Sequence, residues 1–204
     1  MATVATGQSN WANASARGKA RKAALIDDTR MRQLLQQSPD SIAASIAEFG
    51  YRDELDKYAG TLSGVDLIEA ALNHNMDRDL KQVLGFCQGY LKGLVSIYTE
   101  RFTYQKLKAA LRAIHGGVSP DVVASQVLPE QNEANLQWLE LVNNTETLQD
   151  AVSALDGTQF ARALADLDGN DDLMAIEDAL DRYYYSAATK KLREGTTRHP
   201  MLLR

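Results

Sequence analysis

The amino-acid sequence predicts an all-α protein of repeated helical-bundle domains, on the strength of three observations. Proline is scarce, with 4 residues, and glycine is moderate, with 13, which favours long helices over strands and turns. Apolar residues recur every three or four positions through most of the chain, as the buried face of a helix requires. Similar segments also return at a nearly constant spacing, which indicates a duplicated helical unit.

The composition is that of an ordinary soluble protein and argues against several classes. The 204 residues, 45% hydrophobic and 24% charged, suffice for one large domain or two modest ones. A net charge of −5 does not suit binding to nucleic acid, which rewards clustered lysine and arginine. No apolar run approaches the roughly 20 residues that cross a bilayer, and residues 1–22 lack the apolar core of a secretory signal. A single cysteine, Cys87, cannot form an internal disulfide, so a reducing compartment is the simplest assignment.

The first part of the chain is predicted to be helical from Asn10 onward, after a loose tail over residues 1–9. A further helix follows, with Ser38 as its N-cap and Pro39 as its first residue. Gly50 is expected to end it. We predict that Ile42, Ile46 and Phe49 line one face of this helix.

Two longer helices complete the first copy of the unit. The apolar residues of the first recur at helical spacing, and they are Val65, Ile68, Leu72, Met76, Leu80 and Leu84. Glycines at 85, 89 and 93 are predicted to weaken or bend its continuation. The second helix contains "LKGLVSIYTERFTYQKLKAALRAIH" and is expected to end at Gly116-Gly117.

A boundary is expected where Pro120 and Pro129 flank a short helix. We therefore predict a first helical repeat domain over residues 10–118, a linker over residues 119–132, and an incomplete second repeat domain over residues 133–204.

The second domain repeats landmarks of the first. "TLQDAV" at 147–152 resembles "SIAASI" at 41–46, an offset of 106 residues. "IEDALDR" at 176–182 matches "IEAALNH" at 68–74, an offset of 108 residues, and a two-residue loop insertion explains the difference. The repeat predicts equivalent core-facing pairs in the two copies, namely Ile68 with Leu72 and Ile176 with Leu180.

The second copy is expected to be truncated. The first copy continues for about 40 residues beyond "IEAALNH", whereas the second stops at "HPMLLR". We therefore expect that the chain is a fragment, or that its end is not the end of the gene. The reading frame downstream of Arg204 tests this expectation.

Two segments carry a resemblance to a known family. "NWANASARGKA" at 10–20 is similar to an N-Y-x-x-x-x-A-R-x-R-A opening: Asn10 and Arg17 match, whereas Trp11 replaces the tyrosine and Lys19 the second arginine. "YTERFTYQKLKAALRAIHGG" is similar to a [D]-x-x-N-L-K-x-x-L-R segment, in which the matching residues are Leu107, Lys108, Leu111 and Arg112. In that segment the acidic residue and the asparagine are replaced by Thr103 and Lys106.

Together with "SGVDLIEAALNHNMDRDL" and the second copy, these segments resemble the C subunit of the archaeal-type (A-type) ATP synthases, the relative of the d subunit of V-type ATPases. The resemblance implies three helical domains in a pseudo-three-fold funnel, of which this chain would hold the first and about half of the second. It also implies a peripheral, non-catalytic central-stalk (rotor) subunit on the cytoplasmic face of the cell membrane. Such a subunit couples the axle subunits to the ion-carrying membrane ring and transmits torque between ATP turnover and ion translocation.

An acidic stretch over residues 166–177 is the strongest candidate for a metal site. Its oxygen-bearing residues fall at calcium-loop positions, and they are Asp166, Asp168, Asn170, Asp172 and Glu177. However, Asp171 stands where the sharp turn needs glycine, and Glu69, the repeat mate of Glu177, follows no ligand series. We therefore predict no metal site: the carboxylates are expected to cap the next helix, and Glu177 to be an ordinary helix residue.

The basic stretch "ARGKARK" at 16–22, with Arg30 and Arg32, is predicted to be a solvated helix face that Asp27 and Asp28 partly balance. Contact with phosphates or lipid headgroups is the alternative.

Isolated polar residues offer no catalytic or cofactor site. His74, His115 and His199 lack ligand spacing and are predicted to be surface or helix-end residues. Cys87 is predicted to be a buried small hydrophobe, because no acid or histidine stands near it at the spacing of an activated nucleophile.

The tyrosine run Tyr183–Tyr185 is where the copies diverge, since residues 75–77 of the first copy read Asn-Met-Asp. Tyr183 and Tyr184 continue the apolar stripe of the preceding residues, so at least one is predicted to pack in the core. The acidic net charge makes a core or interface role a better interpretation than stacking on nucleobases.

Nucleotide-binding and metalloprotease motifs are absent: the sequence has no G-x-x-x-x-G-K-[ST], G-x-G-x-x-G, H-E-x-x-H or paired C-x-x-C. We therefore expect the chain not to hydrolyse ATP itself. The alternative to a rotor part is a free-standing helical adaptor or scaffold. A solenoid of that kind has at least three short repeats, and a 108-residue unit is too long for one. A helical enzyme is the third and weakest hypothesis.

Overall fold

The computed structural model describes residues 8–167 and 172–198, and every regular element within them is a helix. The predicted all-α fold is confirmed for this part of the chain. The residues fall into two compact units. Asn10–Cys87 with Gln131–Ala134 forms the N-terminal unit, and Gln88–Glu130 with residues 8–9 and the described residues from Asn135 onward forms the C-terminal unit.

The N-terminal unit is built around one long helix, α5. Its elements are α1 (Trp11–Ala23), α2 (Asp28–Leu34), α3 (Pro39–Ile46), a kinked connection (Ala47–Tyr51), α4 (Arg52–Tyr58) and α5 (Gly64–Phe86). The helices α3 and α4 pack against α5, and α1 contacts it as well. The buried apolar cluster of this unit consists of Leu34, Ile46, Leu55, Tyr58, Ala70 and Ala71.

Side-chain caps start two short helices of this unit, α2 and α3. Ser38 Oγ accepts a hydrogen bond from the Ser41 backbone N–H at 3.4 Å, and Pro39 opens α3, so the predicted cap is confirmed. Asp27 Oδ1 accepts from the Arg30 backbone N–H at 2.8 Å, which fixes the start of α2. The helical stretch predicted from Asn10 is therefore broken between α1 and α2.

A left-handed glycine changes the direction of the chain after α3. Gly50 has φ +93°, a conformation that only glycine adopts without strain, and α4 begins two residues later. The same turn carries Phe49 away from the face that buries Ile46, and Phe49 is 38% exposed. The prediction that Phe49 shares a helix face with Ile46 is wrong, because its backbone is not helical.

The face that α5 buries differs from the predicted stripe. Leu72 is 39% exposed and Val65 is also exposed, so the predicted core position of Leu72 is wrong. Ala70 and Ala71 are buried instead, because their short side chains let α3 and α4 approach α5 closely. Ile68 does pack against this cluster, as predicted.

The C-terminal unit is built around α6. Its elements are α6 (Gly89–His115), α7 (Pro120–Val122), a π-helical turn (Val123–Val127), α8 (Leu136–Asn144), α9 (Leu148–Ala154), α10 (Ala161–Leu164) and α11 (Leu173–Arg198). The helices α8, α9 and α11 all pack against α6. Its end before Gly116-Gly117 is as predicted, and Gly117 takes a left-handed φ of +61°.

The compact units do not follow the predicted repeat boundaries. The division lies between Cys87 and Gln88, so that the last helix expected in the first repeat, α6, belongs to the C-terminal unit. Within the expected linker 119–132, Val123 and Leu128 are buried in the C-terminal cluster, so this segment is packed structure. Compactness and sequence duplication are different properties, and the repeat domains 10–118 and 133–204 stay a prediction.

No helix among the described residues combines the length and apolar character needed to cross a membrane.

Candidate functional site

The most extensive helix contact of the C-terminal unit lies between α6 and α11, which run antiparallel. Leu107 and Leu111 of α6 are completely buried, and so is Leu180 of α11, with Ile176 one turn before it. A spacing of four residues places each pair on one helix face, so both faces meet in a single apolar cluster. The prediction that Ile176 and Leu180 face the core is confirmed.

A bidentate ion pair borders this cluster. Arg112 donates from Nε to Glu177 Oε1 at 2.6 Å and from a terminal nitrogen to Glu177 Oε2 at 2.7 Å. The hydrogen bonds to Glu177 raise the pKa of Arg112, against a smaller opposing effect of burial. A guanidinium is planar, so this geometry fixes the angle between the helices as well as their distance.

Two further ion pairs extend the contact along the helices. Lys108 Nζ donates to both carboxylate oxygens of Asp181, at 2.8 and 3.0 Å. Lys191 Nζ lies 3.2 Å from Glu100 Oε1. We call the three pairs the α6–α11 seam, which comprises Glu100, Lys108 and Arg112 of α6 and Glu177, Asp181 and Lys191 of α11.

The tyrosine run Tyr183–Tyr185 lies in α11 next to the apolar cluster that the seam borders. Tyr183 and Tyr184 are half-buried and both pack against the C-terminal cluster, as predicted for at least one of them, whereas Tyr185 is exposed. The Tyr184 hydroxyl donates to the backbone carbonyl of Ile97 at 2.9 Å. Its ring lies 5.3 Å from that of Tyr104 between centroids. Burial raises the pKa of Tyr104 to about 12.

Two carboxylates of the acidic stretch 166–177 have structural roles. Asp172 Oδ1 accepts a hydrogen bond from the Ala175 backbone N–H at 2.8 Å, which confirms the predicted helix cap. Glu177 is bound to Arg112 in the seam. Of the other calcium-loop candidates, Asp166 is exposed, and Asp168 and Asn170 lie outside the described residues. Within residues 8–167 and 172–198, no three histidine, cysteine or acidic side chains are grouped as metal ligands.

The first helix of the N-terminal unit rests on the end of α5. Asn10 Nδ2 donates to the Phe86 carbonyl at 2.7 Å, and the Arg17 guanidinium lies 4.4 Å from the centre of the Phe86 ring. Arg21 pairs with Asp79 at 2.9 Å. Most of the basic stretch is exposed, as predicted, but Asp27 caps α2. The carboxylate that pairs with Arg21 is therefore Asp79 of α5, and not the predicted Asp27 or Asp28.

A buried polar network that the sequence patterns did not predict lies inside the N-terminal unit. The Tyr58 hydroxyl and His74 Nδ1 are 2.9 Å apart, and both side chains are buried. Glu54, 1% exposed, pairs with Arg78 and accepts from Asn75. Burial lowers the pKa of His74 and raises that of Tyr58 to about 12, so both stay neutral near pH 7.

The remaining polar candidates have plain structural roles. The predicted surface or helix-end position of His74 is wrong, because Tyr58 gives its ring a buried hydrogen-bond partner. His115 is exposed at the end of α6, as predicted, and His199 lies outside the described residues. Cys87 is buried, as predicted, although it stands in an extended conformation after α5 and not within a helix.

Comparison with known proteins matches nearly the whole chain to one family. A family model described as "ATP synthase (C/AC39) subunit" matches residues 14–202. The A-type ATP synthase C subunit of Haloquadratum walsbyi is 32% identical over 87% of this chain and 52% of that protein. Its counterpart in Haloferax volcanii is 31% identical over 93% of this chain and 56% of its own length. The one in Methanosarcina acetivorans is 31% identical over 89% and 50% respectively.

The chain spans about half the length of the relatives that it matches. No solved structure was found to match it significantly.

Proposed function

The chain belongs to the ATP synthase (C/AC39) subunit family, and from that membership we propose that it is a non-catalytic central-stalk part of an archaeal-type rotary ATP synthase. In this role it connects the axle subunits to the ion-carrying membrane ring. It passes torque between ATP turnover and ion translocation, and it lies peripherally on the cytoplasmic face of the membrane. The observation that carries the proposal is the family match over residues 14–202.

The α6–α11 seam suits a part that transmits force. Three ion pairs border an apolar cluster whose central side chains are fully buried, so sliding one helix along the other would break ionic as well as apolar contacts. Packed interiors have low compressibility, and a twist applied to one helix is therefore passed to the other. A force-transmitting part of this kind needs stiffness and contact surfaces in place of an active site. We accordingly assign no catalytic residue, cofactor or metal ion to it.

A reconstitution experiment tests the proposal. An A-type complex lacking its C subunit should hydrolyse ATP in the head but pump no ions, and adding the chain should restore both association of ring with axle and ATP-driven pumping. The chain alone should show no ATP turnover. A stable chain that co-purifies with neither axle nor ring subunits would instead support a free-standing helical adaptor, and turnover by the chain alone would support an enzyme.

A further inference from the structure

A groove in the C-terminal unit lies between α6, the segment that precedes and opens α10, and α11. Its volume of about 600 Å³ is within the range of roughly 300–1,000 Å³ that is usual for binding sites. Tyr104, Tyr183 and Tyr184 contribute aromatic surface to its lining. Arg162 and Lys190, both exposed, stand at its rim. The groove therefore has an aromatic floor and a charged rim.

The floor holds a hydroxyl group that the protein does not use. Tyr104 is 6% exposed, and within the described residues its hydroxyl has no hydrogen-bond partner. The neighbouring Tyr184 differs, because its hydroxyl donates to the Ile97 carbonyl. The raised pKa of Tyr104 keeps its phenol protonated, and so available as a donor, at physiological pH. Because Tyr104 lines the groove, its hydroxyl can donate to a ligand that brings an acceptor.

The rim carries more positive than negative charge. Lys191 is paired with Glu100, whereas Arg162 and Lys190 have no ion-pair partner in the part of the chain that the structure describes. The other carboxylate of the lining is Glu194. Three cations against two carboxylates leave a net charge of +1 on this lining, in a chain whose net charge is −5. The groove is thus locally complementary to an anion.

We propose that this groove binds a polypeptide segment that presents a carboxylate beside an apolar side chain. The carboxylate pairs with Arg162 and Lys190 and accepts a hydrogen bond from the Tyr104 hydroxyl, while the apolar side chain lies against the rings of Tyr183 and Tyr184. This binding activity goes beyond the proposed stalk function, because it needs neither axle nor ring.

The shape and charge of the groove favour a peptide over other ligands. Its lining on α11 extends from Tyr183 to Glu194, which is roughly 16 Å at 1.5 Å per residue. That length accommodates about five extended residues at 3.3 Å each. Two unpaired cations are too few to neutralise a nucleic-acid backbone, for which affinity grows with every phosphate contacted.

The test is a titration of the isotope-labelled, full chain followed by NMR. The probe is an end-blocked peptide of alternating glutamate and phenylalanine, and its matched control is the analogue with glutamine in place of glutamate. We expect shift changes that concentrate at Thr158, Gln159 and Ala187 of the lining. The glutamate peptide should bind about tenfold more tightly than the glutamine peptide. The difference should shrink as salt is added.

Variants separate the proposed contacts from general effects. R162Q and K190Q should each weaken binding about threefold. Tyr104→Phe should weaken it by a similar factor and leave the unfolding midpoint unchanged, since the lost hydroxyl has no internal partner among the described residues. The matched control is R182Q, which removes an exposed cation of α11 that does not line the groove.

Three results would overturn the proposal. The first is equal affinity for the two peptides, and the second is unaltered binding by the R162Q/K190Q double variant. The third is a concentration-dependent shift of the same signals without peptide, which would make the occupant a second copy of the chain.

Discussion

Arg112 donates two hydrogen bonds to Glu177, at 2.6 and 2.7 Å, and so joins the last turns of α6 to the first turns of α11 across 65 residues of sequence. Arg112 is more than half exposed, whereas Glu177 is largely buried. The pair therefore lies at the edge of the apolar cluster, where desolvation is partial. Its contribution to stability is expected to be measurable but modest.

A double-mutant cycle on Arg112→Ala and Glu177→Ala should give a coupling free energy of about 0.5–1 kcal/mol, because the bidentate geometry is favourable but the site is open to solvent. Urea unfolding measures it. Lys81 and Glu133 provide the control, since Lys81 Nζ lies 3.6 Å from Glu133 Oε2 and the two side chains are 81% and 83% exposed. The double-mutant cycle on this exposed pair should show no coupling. Equal coupling in the two cycles would show that Arg112 has no special place in the seam.

Leu180→Ala should destabilise the C-terminal unit by about 2–5 kcal/mol, because Leu180 is fully buried in a closely packed cluster and its truncation leaves a cavity. Thermal or urea unfolding reports the loss. Leu192→Ala on the same helix is the control: Leu192 is exposed, and its truncation should change stability by less than about 0.5 kcal/mol. Comparable losses in both variants would mean that the α11 face is not packed as described.

Tyr58→Phe should destabilise the N-terminal unit by about 1–2 kcal/mol, because it removes the hydrogen-bond partner of His74 Nδ1 and leaves that buried nitrogen unsatisfied. The matched control is Tyr98→Phe, which deletes a hydroxyl from an exposed tyrosine of α6. Differential scanning calorimetry compares the two. A Tyr58→Phe protein as stable as the parent would show that the bond to His74 contributes nothing.

Acidification should weaken the N-terminal unit through His74. Burial is the largest cause that lowers its pKa below the ordinary 6.5, so the folded state binds the proton less readily than the unfolded state does. Well above pH 6.5, His74 is unprotonated in both the folded and the unfolded state. As pH falls below that value, the unfolded chain takes up the proton first, and stability declines until pH passes the folded pKa.

Urea midpoints of the parent chain and of His74→Gln, measured between about pH 8 and pH 5, isolate this effect from the titration of carboxylates. Between about pH 6.5 and pH 5, the free energy of unfolding of the parent should fall more than that of His74→Gln. Parallel curves would exclude His74 as the source.

Local patterns sufficed to predict most of the helices, the Ser38 cap of α3, the acidic cap of α11 and the buried positions of Ile176 and Leu180, because helix period and cap chemistry are properties of neighbouring residues. The buried face of α5 was misjudged at Leu72. Which side of a helix turns inward depends on what packs there, and α3 and α4 favour the small residues Ala70 and Ala71.

The contacts that define the candidate site were beyond prediction from sequence for a similar reason. Polar residues on a helix are exposed by default, so nothing local distinguishes Glu177 or His74 from solvated neighbours. Their partners, Arg112 and Tyr58, lie on other helices, and only the folded chain brings them together. The repeat did explain why Glu177 is a helix residue, but not that it binds Arg112.

The boundary between the two compact units, after Cys87, affects how the chain folds while it is being synthesised on the ribosome. The buried cluster of the N-terminal unit draws on residues 34–71, so its apolar side chains are all present once α5 has been made. The cluster beneath α6 instead needs residues as late as Leu180. A growing chain gains α8 and α9 first, but it must carry the face of α6 that packs on α11 without that partner while some 65 further residues are added, as the Arg112–Glu177 separation shows. That interval, several seconds at roughly 5–20 residues per second, is when this helix is most exposed to aggregation and to chaperones.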